Sequence, residues 1–490
     1  MPVPLLSILA LTPLAAGIIV LLLPAEKRSL IRGIAFATSL FTLAVSVIIF
    51  FRFDTTAGGY QFIEKMNWLP ALGISYHMGV DGIGAAMELM AGIVVFSGVM
   101  VSWRVEERPR EFFAFLLFLA ASVFGVFASL DLFQLFFFFE LAVFPKYLMI
   151  VMWGSPKTRE YGGMKLTLYL FLGSVVALIG VLAVYFTSGL RSFDMLALEQ
   201  AGLALEFQRA WFLVIFVGFG VLGGLFPFHS WAPDGHVAAP TAVSMLLAGV
   251  EMKVGVFAAL RAGLMLLPEG MRYWAPLILV LATINVVYGA FIAMIQKDFK
   301  YVIGFSSVSH MGLVFIGFAT LTREGLTGAG LQMFSHGIMT ALFFAVVGMV
   351  YDRTHTRDIR ELGGLFRTMP IAMLGFVIGG LVSMGMPGFS GFIAEMPIYM
   401  GAWQTAPIVA IISALSIVIT AAYILLVVRR VFFGETPEGI RAGLSDISLM
   451  DKIVVVLLSL ILIVIGLFPS VLVPWIEAGV RHILVLTGGA

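Results

Sequence analysis

Cysteine is absent from all 490 residues of this chain, and charge is scarce, with Asp, Glu, Lys and Arg making up 12%. The first absence excludes disulfides, thiolate-held iron–sulfur clusters, Cys-based zinc sites and c-type haem attachment. Any redox chemistry linked to the chain must then be performed by another one. The second excludes a soluble globular protein, in which about 25% of residues are charged and roughly 45–50% apolar. Here 61% are hydrophobic and the mean hydropathy is +1.06. A net charge of +1 gives no basis for nucleic-acid binding. There is no Walker loop, catalytic-triad pattern or zinc motif. Gly218-Phe219-Gly220-Val221-Leu222-Gly223 matches GxGxxG, but no strand precedes it and it lies in an apolar run, so it reads as close helix packing.

What fills the sequence instead is a series of apolar runs long enough to cross a bilayer. Fourteen spans are predicted, at 4–23, 30–51, 83–103, 112–130, 132–153, 163–187, 208–227, 241–262, 275–295, 300–321, 327–351, 370–401, 407–428 and 451–470. They are numbered one to fourteen below. The chain is therefore expected to be an all-α polytopic membrane protein forming a single membrane domain over 1–490. Pro2–Leu23 lacks a positive n-region and is too long for an h-region, so it reads as span one and not as a signal peptide. With the N-terminus placed outside the cytoplasm, nineteen of the 29 Lys and Arg fall in inside loops and eight outside, while Lys146 and Lys253 lie within spans. A miscounted span would spoil that alternation, so both termini are expected on the non-cytoplasmic side.

Two spans should be broken. Phe226-Pro227-Phe228-His229-Ser230-Trp231-Ala232-Pro233-Asp234-Gly235-His236, closed by Pro240, interrupts span seven, and Gly385-Met386-Pro387-Gly388-Phe389-Ser390-Gly391 interrupts span twelve. Pro removes a backbone donor and Gly unwinds cheaply. Such backbone is tolerated at membrane depth only inside protein or beside water. The breaks fall five spans apart, as expected of two five-helix repeats, and paired broken helices point to an ion site in transporters.

Four charged residues stand near mid-span: Glu140, Glu251, Lys253 and Glu395. Each costs roughly 2.5–3.5 kcal/mol at the bilayer centre. Three acids cannot all pair with one base, so at least one acid is expected to be held partly neutral, as a proton carrier needs. Pro145, following Glu140, can loosen the helix and admit water. Glu251 and Lys253 are two residues apart, about 200° around a helix, so each needs a partner on another span. Lys146 is within reach of the interface and can snorkel there. His310, in Ser306-Ser307-Val308-Ser309-His310, and His336, in Gln332-Met333-Phe334-Ser335-His336, can each pass a proton, since an imidazole both donates and accepts. His229, Asp234 and His236 are too irregularly spaced for a convincing metal site.

These stretches resemble the antiporter-like membrane subunits of NADH–quinone oxidoreductase (respiratory complex I), most closely the chain M type. The resemblance covers nearly the whole chain and is strongest over Asp131–Gly154, Phe226–Arg261, Lys297–Gly312 and Gly385–Pro397. It implies fourteen helices with two inverted five-helix repeats, four to eight (112–262) and nine to thirteen (275–430), flanked by 1–111 and 431–490. It further implies that Glu140 is the helix-five glutamate, Lys253 the helix-eight lysine and Glu395 the helix-twelve ionisable residue, a Glu there being similar to chain M where chain L usually has Lys. His229, His310 and His336 match histidines of a central polar axis. The family normally has a helix-seven lysine seven residues before the histidine matched by His229, but Leu222 stands there. Lys146, Glu251 or ordered water is expected to take its place.

The resemblance implies a proton-translocating translocase subunit in the bacterial inner membrane, with no cofactor of its own. FMN, iron–sulfur clusters, NADH and quinone would belong to partner subunits, the redox arm and the other antiporter-like chains. Two other readings share the motifs: a D-type subunit of a multi-subunit Na⁺/H⁺ antiporter, and a non-pumping scaffold.

Overall fold

The computed structural model describes residues 3–441 and 444–488. Among them, twelve helices are long and apolar enough to cross a membrane. They coincide with twelve of the predicted spans, and the other two, seven and twelve, are in pieces. The chain is a helical, multi-pass membrane protein.

The helices sort into an inner and an outer set. Spans eight and eleven (Thr241–Met265 and Arg323–Thr354) are wholly enclosed, and spans three and ten (Gly82–Arg104 and Phe299–Thr320) nearly so. Spans one, two, six, nine, thirteen and fourteen leave more than half of their residues at the periphery. The enclosed set carries Lys253, His310 and His336, so the ionisable residues lie where neighbouring helices can satisfy them.

Both expected breaks are present. Span seven runs as Leu205–Gly220, turns, and resumes as Trp231–Ala238. Its freed backbone is met by side chains: Phe226 N donates to Asn285 Oδ1 (2.6 Å), Asn285 Nδ2 donates to Gly224 O (2.7 Å), and Trp231 Nε1 donates to Val221 O (2.8 Å). Side-chain partners of this kind make non-helical backbone tolerable at membrane depth. Span twelve runs as Pro370–Ser383 and Ser390–Thr405, with Gly385 (φ +60°) and Gly388 (φ +91°) in the left-handed region that suits glycine. A third interruption, at Ala142, divides span five into Leu132–Leu141 and Val143–Trp153, next to Pro145. Span eight is continuous but contains two π-helical stretches, Leu247–Glu251 and Ala259–Met265.

Two elements were not expected. A hairpin pairs Gln61–Leu69 with Ile74–Val80, antiparallel, with Lys65 opposite His77. After span fourteen comes a further helix, Val473–Thr487. The hairpin is fastened to the start of span five: Ser75 N and Oγ both donate to Asp131 Oδ2 (2.9 Å), while Asp131 Oδ1 caps the helix at Phe133 N and Gln134 N. Lys65 and His77 both converge on Asp194. Burial alone would raise the Asp194 carboxyl, but hydrogen bonds and charge from His77 and Lys65 hold it well below the ordinary carboxylate range. A carboxyl lowered on folding stabilises above its unfolded pKa of about 3.9 and loses that contribution as pH falls below it.

Arg261, counted among the eight outside charges although it falls at the end of predicted span eight (241–262), lies in the second π stretch of that span. It is 1% exposed and donates to Asp81 Oδ1 (2.6 Å), Asp81 Oδ2 (2.9 Å) and Tyr60 OH (3.0 Å). Removing one partner of such a buried pair leaves an uncompensated charge and costs about 3–5 kcal/mol. Asp81→Ala is therefore expected to lower the melting temperature in detergent sharply. An unchanged melt would mean that the pair does not hold span three to span eight.

Candidate functional site

The buried ionisable residues form two clusters, one on each side of span eight. Glu251 and Lys253 are too far apart around the helix to face one another, and each has found a partner on another span. Lys146, in the second half of span five, is ion-paired with Glu251, and both side chains are 1% exposed. The snorkelling alternative for Lys146 is thus overturned: its ammonium turns inward to a carboxylate. Glu140, at the end of the first half of span five, is partly exposed and has one buried carboxyl oxygen without a hydrogen-bond partner. It is not bonded to Lys146 in this structure. The first cluster therefore contains two acids and one base, with the base committed to Glu251.

On the other side, Lys253 donates to Ala248 O (2.5 Å), a carbonyl within the π-helical turn, and lies 2.6 Å from His336 Nδ1. The widened turn leaves that carbonyl open to a side chain. The ring of His336 stands 5.5 Å from that of His310, centroid to centroid. His310 Nδ1 in turn lies 3.2 Å from Glu395 Oε1. Gln332 bridges them, its Nε2 3.3 Å from His310 Nδ1 and 3.5 Å from Glu395 Oε1. Tyr399 OH reaches the other oxygen of Glu395 at 3.5 Å.

The break in span twelve shapes this end. His310 Nε2 is 2.9 Å from Ser383 Oγ, at the close of the first half. A Cβ placed on Gly385 would sit 2.8 Å from Glu395 Oε2, so the glycine lets the turn approach the carboxyl. The result is a row of groups able to exchange protons, running from Lys253 to Tyr399 through the enclosed interior.

Two expectations fare differently. His229 stands apart: it stacks on Phe226 (5.4 Å) and meets Tyr288 edge-on (5.2 Å), and no hydrogen bond joins it to Lys253, His336 or His310. Leu222 is buried and packs against Gly255 of span eight, where an added Cβ would lie 2.7 Å from Leu222 Cβ. The place of the helix-seven lysine is filled by apolar packing, and the ion pair is made between spans five and eight. Asp234 binds Lys165 (2.7 Å) and Tyr301 (2.8 Å), and among the described residues no group of three or more His, Asp or Glu is placed to hold a metal ion.

Sequence reasoning passed over two buried groups, Glu88 and Lys300, and weighed a third, His236, only as a metal ligand. Glu88 in span three is fully enclosed with both carboxyl oxygens unpartnered. Its signal, a lone acid in Met87-Glu88-Leu89-Met90, is the one that drew attention to Glu251. Lys300 donates to Ala239 O (2.6 Å) and Ser244 Oγ (2.9 Å). His236 is fully enclosed, and neither ring nitrogen has a partner.

Comparison with known proteins follows the same lines. Residues 129–420 match the family described as NADH:quinone oxidoreductase/Mrp antiporter, transmembrane. The chain is 35% identical to an NAD(P)H-quinone oxidoreductase chain 4 of Thermosynechococcus vestitus, over 96% of this chain and 89% of that one. It is also 35% identical to chain 4 of Gloeobacter violaceus, over 95% and 90% respectively. Among solved structures it is similar to a chain of respiratory complex I from Thermus thermophilus with bound NADH, with a TM-score of 0.91 at 29% identity, covering 99% of this chain and 100% of that one. A chain of the Mrp complex from a Dietzia species shares the fold, with a TM-score of 0.88 at 20% identity and full coverage of both.

Proposed function

This chain belongs to the NADH:quinone oxidoreductase/Mrp antiporter transmembrane family, and on that premise we propose that it is the proton-translocating, chain M-type membrane-arm subunit of an NADH–quinone oxidoreductase. The observation that carries this reading is the row of contacts from Lys253 through His336 and His310 to Glu395, enclosed within the membrane domain. Glu140, Lys146 and Glu251 supply the second cluster, where Lys146–Glu251 does the work of the absent helix-five to helix-seven pair. Spans four to eight and nine to thirteen are the two repeats, with the broken spans seven and twelve at corresponding places. The chain sits in the bacterial inner membrane with both termini outside. Electrons pass through FMN and iron–sulfur clusters of partner subunits to quinone, and this chain moves protons in response.

The test is proton translocation by the complex in sealed vesicles, read as protons per NADH oxidised. Glu140→Gln and Glu395→Gln are each expected to lower that ratio, while NADH oxidation by a soluble acceptor stays at the parent rate. Parent ratios in both would end the relay assignment. Co-purification of the tagged chain with stoichiometric flavin and iron supports the redox complex. An intact flavin-free oligomer exchanging Na⁺ for H⁺ would move the assignment to the antiporter.

A further inference from the structure

Span thirteen, Pro407–Phe432, ends on the side that the Lys and Arg bias assigns to the cytoplasm, and its last turn carries Arg429 and Arg430. The loop that joins spans eleven and twelve is fastened to the residue that follows: Gly364 N donates to Phe433 O (3.0 Å), and the Phe366 ring stacks on that of Phe433 (5.5 Å). A Cβ placed on Gly363 would sit 2.6 Å from Glu435 O, so a glycine is what lets the loop come this close. Between the two segments opens a cavity of about 290 Å³, lined by Gly363, Leu426, Arg429, Arg430, Phe433 and Glu435.

The charges of this cavity stand unpaired. Other cations on the same side have found carboxylates: Arg353 holds Asp451 (3.0 Å), Arg357 holds Asp298 (3.2 Å), Arg360 holds Asp358 (2.5 Å), and Lys452 is paired with Asp446. The side chains of Arg429, Arg430 and Glu435 make no ion pair or hydrogen bond with any described residue. The N–H of buried Gly363 has no acceptor among the described residues either. Two guanidiniums against one carboxylate leave the cavity a single positive charge, with donors for an oxyanion and an acceptor for a hydroxyl. A phosphodiester carries one negative charge, and the guanidinium fork suits its oxygens.

The surface beside the cavity says what that anion is attached to. Ile411, Leu415, Val418, Ala422 and Leu425 follow one another at steps of four and three along span thirteen, so they share one face, and the next step reaches Arg429. All five are exposed. From Leu425 to Leu415 the helix rises about 15 Å, the depth of one leaflet of a hydrocarbon core about 30 Å thick. A soluble anion has no use for such a stripe, whereas an acyl chain matches its length. Basic pockets between helices on the cytoplasmic side are suited to anionic headgroups.

We propose that this cavity and stripe bind an anionic glycerophospholipid of the cytoplasmic-side leaflet. Its phosphate sits between Arg429 and Arg430, a headgroup hydroxyl donates to Glu435, and one acyl chain lies along the helix to Leu415. The lipid fastens the loop between spans eleven and twelve to the foot of span thirteen, whatever ion the chain moves.

The test is photolabelling of the intact complex in bilayers that contain phosphatidylglycerol with a diazirine in one acyl chain, or phosphatidylethanolamine with the same chain. Labelled peptides are then mapped. Phosphatidylglycerol is expected to label span thirteen between 415 and 425, and phosphatidylethanolamine to label it several-fold less. Arg429→Gln/Arg430→Gln is expected to lower the phosphatidylglycerol labelling there by about 30-fold, with labelling of the other spans unchanged. Excess inorganic phosphate is expected to leave the parent's labelling as it was. Equal labelling by the two lipids, or undiminished labelling of the double variant, would overturn the site. No labelling by either lipid would overturn it too, and would mean that a neighbouring subunit covers this face. Loss of labelling to inorganic phosphate would reassign the cavity to a soluble anion. If the double variant does not assemble, the contrast between the two lipids in the parent decides.

Discussion

Glu251→Leu should destabilise the protein by about 3–5 kcal/mol, because it leaves the Lys146 ammonium enclosed with no anion. Lys146→Met should do the same from the other side. The double variant Lys146→Met/Glu251→Leu should melt near the parent temperature, since replacing a whole buried pair by apolar groups of similar volume is often neutral or stabilising. A double-mutant cycle read by thermal unfolding in detergent measures the coupling directly. The functional outcome is a separate matter. If the pair serves proton transfer, the double variant assembles but translocates fewer protons per NADH. If it assembles and pumps at the parent ratio, the pair is architectural only.

Lys253 should show the largest functional effect, and arginine should not rescue it. A relay lysine must lose its proton as well as hold it, and a guanidinium, with a pKa above 12, does not. Lys253→Met and Lys253→Arg should thus be equally defective, with translocation through this chain slowed on the order of 10²-fold, the low end for a positioned acid–base group. A lysine needed only as a fixed charge between Ala248 O and His336 would tolerate arginine. Substantial pumping by Lys253→Arg would therefore remove Lys253 from the relay. The measurement is again protons per NADH, with assembly checked by co-purification.

Much of this arrangement can be read from sequence because bilayer physics is local. Apolar runs of bilayer length and the Pro and Gly of the breaks each act within a few residues, so the spans and the interruptions of seven and twelve are visible without partners. Pairings are not local. The angle between Glu251 and Lys253 shows that both need partners, but Lys146 lies 105 residues from Glu251 and His336 lies 83 residues from Lys253. Nothing in either local pattern selects them. The hairpin escapes for a similar reason: Ile74–Val80 alternates cleanly, but its partner Gln61–Leu69 does not, and the hairpin is fastened by Asp131 and Gln134, more than fifty residues on. Arg261 reads from sequence as a charge at the outer end of span eight, yet the π stretch carries the helix on to Met265 and Asp81 receives the charge. Glu88 was legible by the same signal as Glu251, and its place early in span three, near the membrane surface, masked it.

The two wide turns of span eight set the compass bearing of everything between them. A π turn holds one residue more than an α turn closed at the same place, so each stretch acts as a single-residue insertion absorbed within a continuous helix. Deleting one residue from Leu247–Glu251 would restore regular winding there and swing Lys253 by about 100° relative to the first turns of the helix. Its ammonium would leave His336, although no side chain in the row had been altered. The reading frame of this one helix, as much as the identity of its residues, determines which side of the protein receives the lysine.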